Sequence, residues 1–266
     1  MQAGAPGSAP VPASFPALAG ALALCAALFL AGCKAKSPDA DSGRPESVRA
    51  FPEADRPVSQ RGLTQFSTEG QRDSLGEAKT VMDLAAIKPG FSVADIGAGE
   101  GYYTVRLAER VGRKGRVLAE DIDARAMERL GVRVQKERLE NVSIRVGLPE
   151  DPRLPDHSFD RVFMVHMYHE VSEPYAFLWH LRPALRPGGS VIVVDVDRPT
   201  DLHGMPPALL FCEFAAVGFR LVEFVRKPSV TGYYAKFEAV GPRPDPAAIV
   251  PCRISAAGAG STATGK

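Results

Sequence analysis

The sequence predicts an α/β fold, a doubly wound and mostly parallel sheet, and three observations carry that prediction. Short apolar runs alternate with stretches of helical periodicity across residues 70–241, which is how a parallel sheet covered by helices is built. Residues 93–101 read Val-Ala-Asp-Ile-Gly-Ala-Gly-Glu-Gly, a strand that ends in a glycine-rich loop and passes directly into a helix. The next apolar run closes on two acids, Glu120 and Asp121.

The helix after the loop starts at Tyr102, because Thr104, Leu107, Ala108 and Val111 fall at i, i+3, i+4 and i+7. Residues 115–121 form the second strand, and Asp123 suits the N-cap of a helix over 124–135. The third strand is 141–147. The fourth, 159–166, is continuous enough in apolar residues to be covered on both faces. A helix over 174–185 has Pro174 in its first turn and Leu178, Leu181 and Leu185 on one face, while Pro183 disturbs its last turn. Arg186-Pro-Gly-Gly189 leads into the fifth strand, 190–196. A helix near 206–217 then precedes two closing strands, 218–225 and 232–240.

Glycines at alternate positions let backbone approach a nucleotide while a helix N-terminus points at it. A dinucleotide fingerprint requires Gly-x-Gly-x-x-Gly. Here the third glycine, Gly101, comes one place early and Tyr102 fills the expected position. Asp95, two residues before the first glycine, also lies outside that fingerprint. The pattern Asp95-Ile-Gly97-Ala98-Gly99-Glu-Gly101 resembles motif I of the class I S-adenosylmethionine (SAM)-dependent methyltransferases. The Leu-Arg-Pro-Gly-Gly before the fifth strand and the Gly-Phe that opens the sixth are similar to the same family.

The resemblance implies a seven-stranded class I methyltransferase sheet over 70–241, with SAM as methyl donor held by Asp95, Gly97, Ala98, Gly99 and Gly101. It implies an acid at the tip of the second strand that accepts hydrogen bonds from the ribose hydroxyls. Asp121 aligns with that position better than Glu120, and strand alternation sends the two side chains to opposite sides, so one alone is expected to face the ligand. Many family members carry an acid directly after the glycine that ends the third strand, for the adenine amino group. Leu148 stands there in this chain, which leaves Glu150 or Asp151 as the substitute, or else as solvated loop acids.

The chemistry is expected outside the carboxyl ends of the strands. The fourth strand ends Val165-His-Met-Tyr-His-Glu-Val171, which gathers titratable and aromatic side chains at that edge. Methyl transfer from a sulfonium is an in-line displacement, so positioning dominates and a base is needed only for a protonated acceptor. His166 or His169 is the candidate base and Tyr168 the candidate for positioning the acceptor. The bland alternative is a histidine bonded to backbone, with Glu170 capping or pairing nearby. His-x-x-His-Glu lacks the helical metalloprotease signature, and no metal site is expected. Asp160, at the far end of the fourth strand, is expected to pair or cap there. Tyr233 and Tyr234 either line an acceptor pocket or pack.

The ends of the chain are different material. Residues 1–32 hold no charged side chain, and the apolar run ends Leu30-Ala31-Gly32-Cys33, which looks like a bacterial lipobox with Cys33 as the lipidated residue. The run is short for a membrane-spanning helix and fits a signal-peptide core. Residues 33–69 are expected to be a flexible tether and 242–266 a disordered tail. Lys34, Lys36, Arg44 and Arg49 follow the apolar run, an asymmetry that favours a cytoplasmic domain, whereas the lipobox favours the cell envelope. Cys212 and Cys252 have no Cys-x-x-Cys partner. They form either a disulfide or, as expected, two ordinary thiols. A net charge of +1 gives no electrostatic footprint for nucleic acid.

These features describe a membrane-tethered, SAM-dependent methyltransferase for a small-molecule or lipid acceptor whose identity is not written in the sequence. Two alternatives stand beside it. One is a non-catalytic envelope lipoprotein that uses the fold as a binding module. The other is a nucleotide-dependent reductase on a similar scaffold, which the early third glycine opposes.

Overall fold

The computed structural model describes residues 43–59 and 68–253. Two short helices, α1 (Glu69–Leu75) and α2 (Glu77–Leu84), lead into the sheet. Thr68 caps α1 through a reciprocal capping box with Gln71, and Gly76 turns the chain between the two helices at a φ of 68°. The strands are β1 (Ser92–Ile96), β2 (Arg116–Asp121), β3 (Val142–Val146), β4 (Phe159–Val165), β5 (Leu185–Asp195), β6 (Phe219–Val225) and β7 (Tyr233–Ala239). Between them lie α3 (Tyr102–Val111), α4 (Ala124–Lys136), α5 (Pro174–Leu181) and α6 (Pro207–Ala216).

The seven-stranded sheet runs β3-β2-β1-β4-β5-β7-β6. Strands β1 to β5 pair in parallel, and β7 is antiparallel to both of its neighbours. This is the class I methyltransferase arrangement expected above. The order reverses between β1 and β4, so a crevice opens at the carboxyl ends of those two strands.

Strand alternation divides the core. Val93, Val117, Phe163 and Ile192 face α2 and α3, while Ala94, Val162, Met164 and Val193 join Leu178, Leu210 and Phe214 of α5 and α6 on the other face. Pro183 stops α5 early: the helix ends at Leu181 and Arg182–Ala184 forms a 3-10 turn. Strand β5 begins earlier than expected, because Leu185 pairs with Phe159 before the register shifts. Asp160 accepts from Ser92 N–H at 2.8 Å and pairs with Arg186 at 2.9 Å, at the sheet end remote from the crevice.

Residues 43–59, expected as part of a flexible tether, are instead built into the domain. No helix forms between β3 and β4. Val48 and Phe51 join the core cluster that contains Leu118 and Leu154, and Phe51 meets the Trp179 ring edge-on at 5.5 Å. Arg56 is buried and pairs with Glu213 at 2.8 Å. Residues 242–253, expected as disordered tail, also pack. Trp179 donates to Pro244 O at 2.9 Å, and Cys252 forms a disulfide with Cys212 of α6. The thiol expectation for these cysteines is therefore corrected, since chain folding brings their Cα atoms to 6.0 Å.

Candidate functional site

Strand β1 delivers the chain into the loop Gly97–Gly101 at the crevice. Gly97, Gly99 and Gly101 all take positive φ values, 67°, 54° and 88°, which favour glycine. Their surroundings differ. A Cβ at Gly101 would run into Leu130 of α4, so this glycine lets helix and loop approach and does not touch the crevice. A Cβ at Gly99 would meet no described residue within 4 Å. Gly97, Ala98 and Gly99 line a cavity of about 1020 Å³, large enough for a nucleoside and a second small molecule.

Asp121, at the tip of β2, ties the loop in place. Gly99 N–H donates to its Oδ2 at 2.9 Å and Asp123 N–H to its Oδ1 at 2.9 Å. A carboxylate has capacity for about four acceptor contacts, so it retains room for ligand hydroxyls. Glu120 also lines the cavity, contrary to the expectation that one acid alone would face it. It lies deeper, and a Cβ on Gly147 would overlap its Oε1. Burial first, and then the neighbouring Asp121 and Asp95 charges, push the Glu120 carboxyl up to about 8. At neutral pH it is mostly protonated, deep in the cavity wall.

Asp95 does not line the cavity. It is buried behind the loop and accepts from Thr104 Oγ1 at 2.6 Å, and desolvation raises its carboxyl to about 6. Its part is to fasten α3 to β1, which corrects its reading as a direct ligand contact. Neither Glu150 nor Asp151 supplies the missing adenine acid. Glu150 is buried and accepts from Ser47 Oγ at 2.9 Å, while Asp151 caps its own turn through Arg153 N–H at 2.7 Å. The wall there is Leu148 and Pro149.

The three candidate catalytic side chains separate. His166 lines the cavity at the end of β4, in a left-handed backbone conformation with φ of 54°. Its Nε2 is 3.5 Å from Glu77 Oε2. Burial would raise the Glu77 carboxyl, but His166 and Arg72 outweigh that and hold it near about 2. Tyr168 is fully buried, and its hydroxyl donates to Glu213 Oε2 at 2.8 Å. It belongs to the core, and the acceptor-positioning role is corrected. His169 is also fully buried, with Nδ1 at 3.0 Å from both oxygens of Asp195. Tyr233 and Tyr234 are fully buried, which decides for packing.

Sequence reasoning missed Glu69 and Arg72 of α1 on the cavity wall. It also missed Asp195 and His203 beside His169. The signal for Asp195 was present, because an acid that ends an apolar strand at the carboxyl edge stands where ligands bind. Cys33 lies outside the described residues. Among the described residues no helix is long and apolar enough to cross a membrane.

Comparison with known proteins follows the same lines. Residues 93–189 match the methyltransferase domain family. The chain is 31% identical over 125 residues to the ubiquinone/menaquinone biosynthesis C-methyltransferase UbiE of Hydrogenovibrio crunogenus, covering 45% of this chain and 47% of that one. It is 28% identical over 172 residues to an arsenite methyltransferase of Halobacterium salinarum, covering 59% of this chain and 44% of that protein. The chain thus spans about half the length of these curated relatives. Among solved structures, a SAM-dependent methyltransferase from Aquifex aeolicus superposes with a TM-score of 0.55 at 24% identity, over 65% of this chain and 97% of that one. The [4+2]-cyclase SpnF gives 0.53 at 21%, over 67% and 68%. At these identities the two structures speak for the fold alone. With its strand order, its crevice and the family match over residues 93–189, the chain has the class I methyltransferase fold.

Proposed function

We propose that this chain is a SAM-dependent methyltransferase acting on a small-molecule or lipid acceptor, held at the bacterial cell envelope by lipid on Cys33. One observation carries the donor assignment: the Gly97–Gly99 backbone and the Asp121 carboxylate share one wall of a cavity in which the Cβ position of Gly99 is open. These residues fit the donor, the loop by admitting its nucleoside close to backbone and Asp121 by accepting from the ribose hydroxyls. Leu148 and Pro149 offer an apolar surface to the adenine in place of an acid. SAM supplies a methyl group already activated by its sulfonium charge, so the protein's work is to align the acceptor and exclude water. His166 stands on the cavity wall as the candidate base for a protonated acceptor, and Val165, Met167, Val171 and Phe177 give that wall an apolar side. A small acceptor also agrees with the names of the relatives, one a quinone-biosynthesis C-methyltransferase and the other an arsenite methyltransferase.

For the envelope, the support is the lipobox sequence together with the Cys212–Cys252 disulfide, a bond that persists in oxidising compartments. An exported domain is separated from the cytoplasmic supply of SAM, and this favours the second reading, a binding module without turnover. Calorimetric titration of the full chain with SAM, and with NADPH as the reductase control, tests the donor assignment against the reductase, and turnover with an acceptor then separates enzyme from binding module. SAM is expected to bind, and Gly99→Ala to weaken it by about tenfold or more while far-ultraviolet circular dichroism stays unchanged. Equal SAM affinity in wild type and variant, or binding of NADPH alone, overturns the donor assignment.

A further inference from the structure

One polar cluster at the edge of the core lies apart from the proposed donor site. The 3-10 turn Tyr168–Glu170 after β4 and the loop between β5 and α6 bring His169, Glu170 and His203 together. One nitrogen or oxygen of each lies within 4.8 Å of the others. Asp195 is fully buried, accepts from Val196 N–H at 2.8 Å, and faces His169 Nδ1 with both oxygens at 3.0 Å. A carboxylate at Nδ1 requires the proton there, which leaves a lone pair on Nε2. That nitrogen is buried and, among the described residues, has no hydrogen-bond partner. His203 Nδ1 is likewise buried and unpartnered. Two such unpartnered ring nitrogens in one cluster cost free energy unless something bonds to them.

The backbone fixes where the His203 ring stands. His203 is held in the left-handed region at φ of 54°, which a side-chain-bearing residue seldom adopts. The loop is pinned there by Ser59, whose hydroxyl accepts from His203 N–H at 3.0 Å and donates to Thr200 O. The strain therefore sets the ring beside His169, edge-on at 5.7 Å between centroids.

We propose that His169 Nε2, His203 Nδ1 and the Glu170 carboxylate bind one divalent transition-metal ion, with Zn2+ the ion their donor set fits. Two imidazoles and one carboxylate are a known three-ligand Zn2+ set that leaves a fourth position open. The Asp195 contact to His169 is the outer-sphere carboxylate that orients a metal-binding imidazole. A tetrahedral site with bonds of about 2.0–2.1 Å places its ligand atoms about 3.4 Å apart. The 4.0 Å between His169 Nε2 and Glu170 Oε1 closes to that by a small movement of the partly exposed Glu170 side chain. Glu170 also lines the large cavity, so the cluster borders that space. An ion there would hold an acceptor oxygen or sulfur near the donor and favour its deprotonated form. That wider role rests on the methyl-transfer reading. The metal site itself does not.

The test uses the full chain without a polyhistidine tag, stripped with chelator and titrated with Zn2+ by calorimetry. Co2+ absorption serves as a coordination probe. One Zn2+ per chain is expected, with tetrahedral d–d bands for Co2+. His203→Ala is expected to abolish both while circular dichroism is retained, and Asp195→Asn to weaken Zn2+ about 10–100-fold. His180→Ala, a histidine outside the cluster, is expected to leave both unchanged. Absence of Zn2+ binding, or binding that survives His203→Ala, overturns the proposal. Because no readout involves SAM, failure here leaves the methyl-transfer reading standing, and failure of SAM binding leaves the metal site standing.

Discussion

The two acids at the tip of β2 have separate work, although they are neighbours in sequence. Asp121 is tied to two backbone amides and stays accessible, while Glu120 lies deeper in the cavity wall with its carboxyl at about 8. Its folded-state value exceeds the ordinary carboxylate value of 4.5. The folded protein therefore keeps a proton that the unfolded chain has lost, and stability falls as pH rises from about 4.5 to about 8, then levels off. Gln holds the neutral form permanently. Thermal melts of Glu120→Gln and wild type are expected to lie closest near about pH 4, below the ordinary carboxylate value, and to separate by about 1 kcal/mol or more in favour of Gln at pH 9. In SAM titrations the order reverses. Asp121→Asn loses a charge-assisted acceptor worth about 1.5–3 kcal/mol, whereas Glu120→Gln binds as wild type does at pH 7. A larger loss for Glu120→Gln would make Glu120 the ribose acid.

At the scale of elements, the sheet was legible and its N-terminal cover was not. Strands β1 to β5 announce themselves by apolar runs between glycines and acids. The helix α1 has only seven residues and no buried side chain, so periodicity gives it no signal. It is held by ion pairs, Arg106–Asp73 at 2.5 Å and Arg133–Glu69 at 2.6 Å, and by Tyr102 between the Arg72 and Arg106 guanidiniums. The segment 43–59 was equally hidden, because its polar composition reads as a tether while Val48, Phe51 and Arg56 are buried. Arg56 is its anchor: beside Glu213 it donates to Val171 O at 2.9 Å. Arg56→Ala strands the Glu213 charge and is expected to cost about 3–5 kcal/mol in denaturant unfolding. Tyr168→Phe removes one hydrogen bond and is expected to cost about 1 kcal/mol with SAM affinity unchanged. A selective loss of turnover in Tyr168→Phe would return that residue to the acceptor site.

For the whole molecule, the disulfide links α6 to the C-terminal segment across a sequence separation of 40. A loop of that length gives about 4 kcal/mol in the chain-entropy description. Unfolding of Cys212→Ser/Cys252→Ser is expected to show a loss up to that size, and the mature full chain is expected to show neither thiol to alkylating reagent before reduction. Cys33→Ser is expected to abolish fatty-acid incorporation and leave an uncut precursor, because the thiol of that residue takes the lipid. Reactive Cys212 and Cys252 together with an unlipidated chain would place the domain on the cytoplasmic side, where SAM is made.

The sequence by itself determined the order of strands and helices from β1 onward, the glycine loop and the acid pair beside it. Each of these depends on contacts between residues close in the chain: a periodicity, a turn that only glycine fits, a cap. Tertiary structure alone decided the rest. It moved Asp95 behind the loop, turned Glu150 toward Ser47, spent Tyr168 on Glu213 and closed Cys212 onto Cys252. It also placed His203 beside His169 and Asp195. Such pairings join residues far apart in the chain, and their partners are fixed by how β4, β5 and α6 pack, which no local pattern encodes.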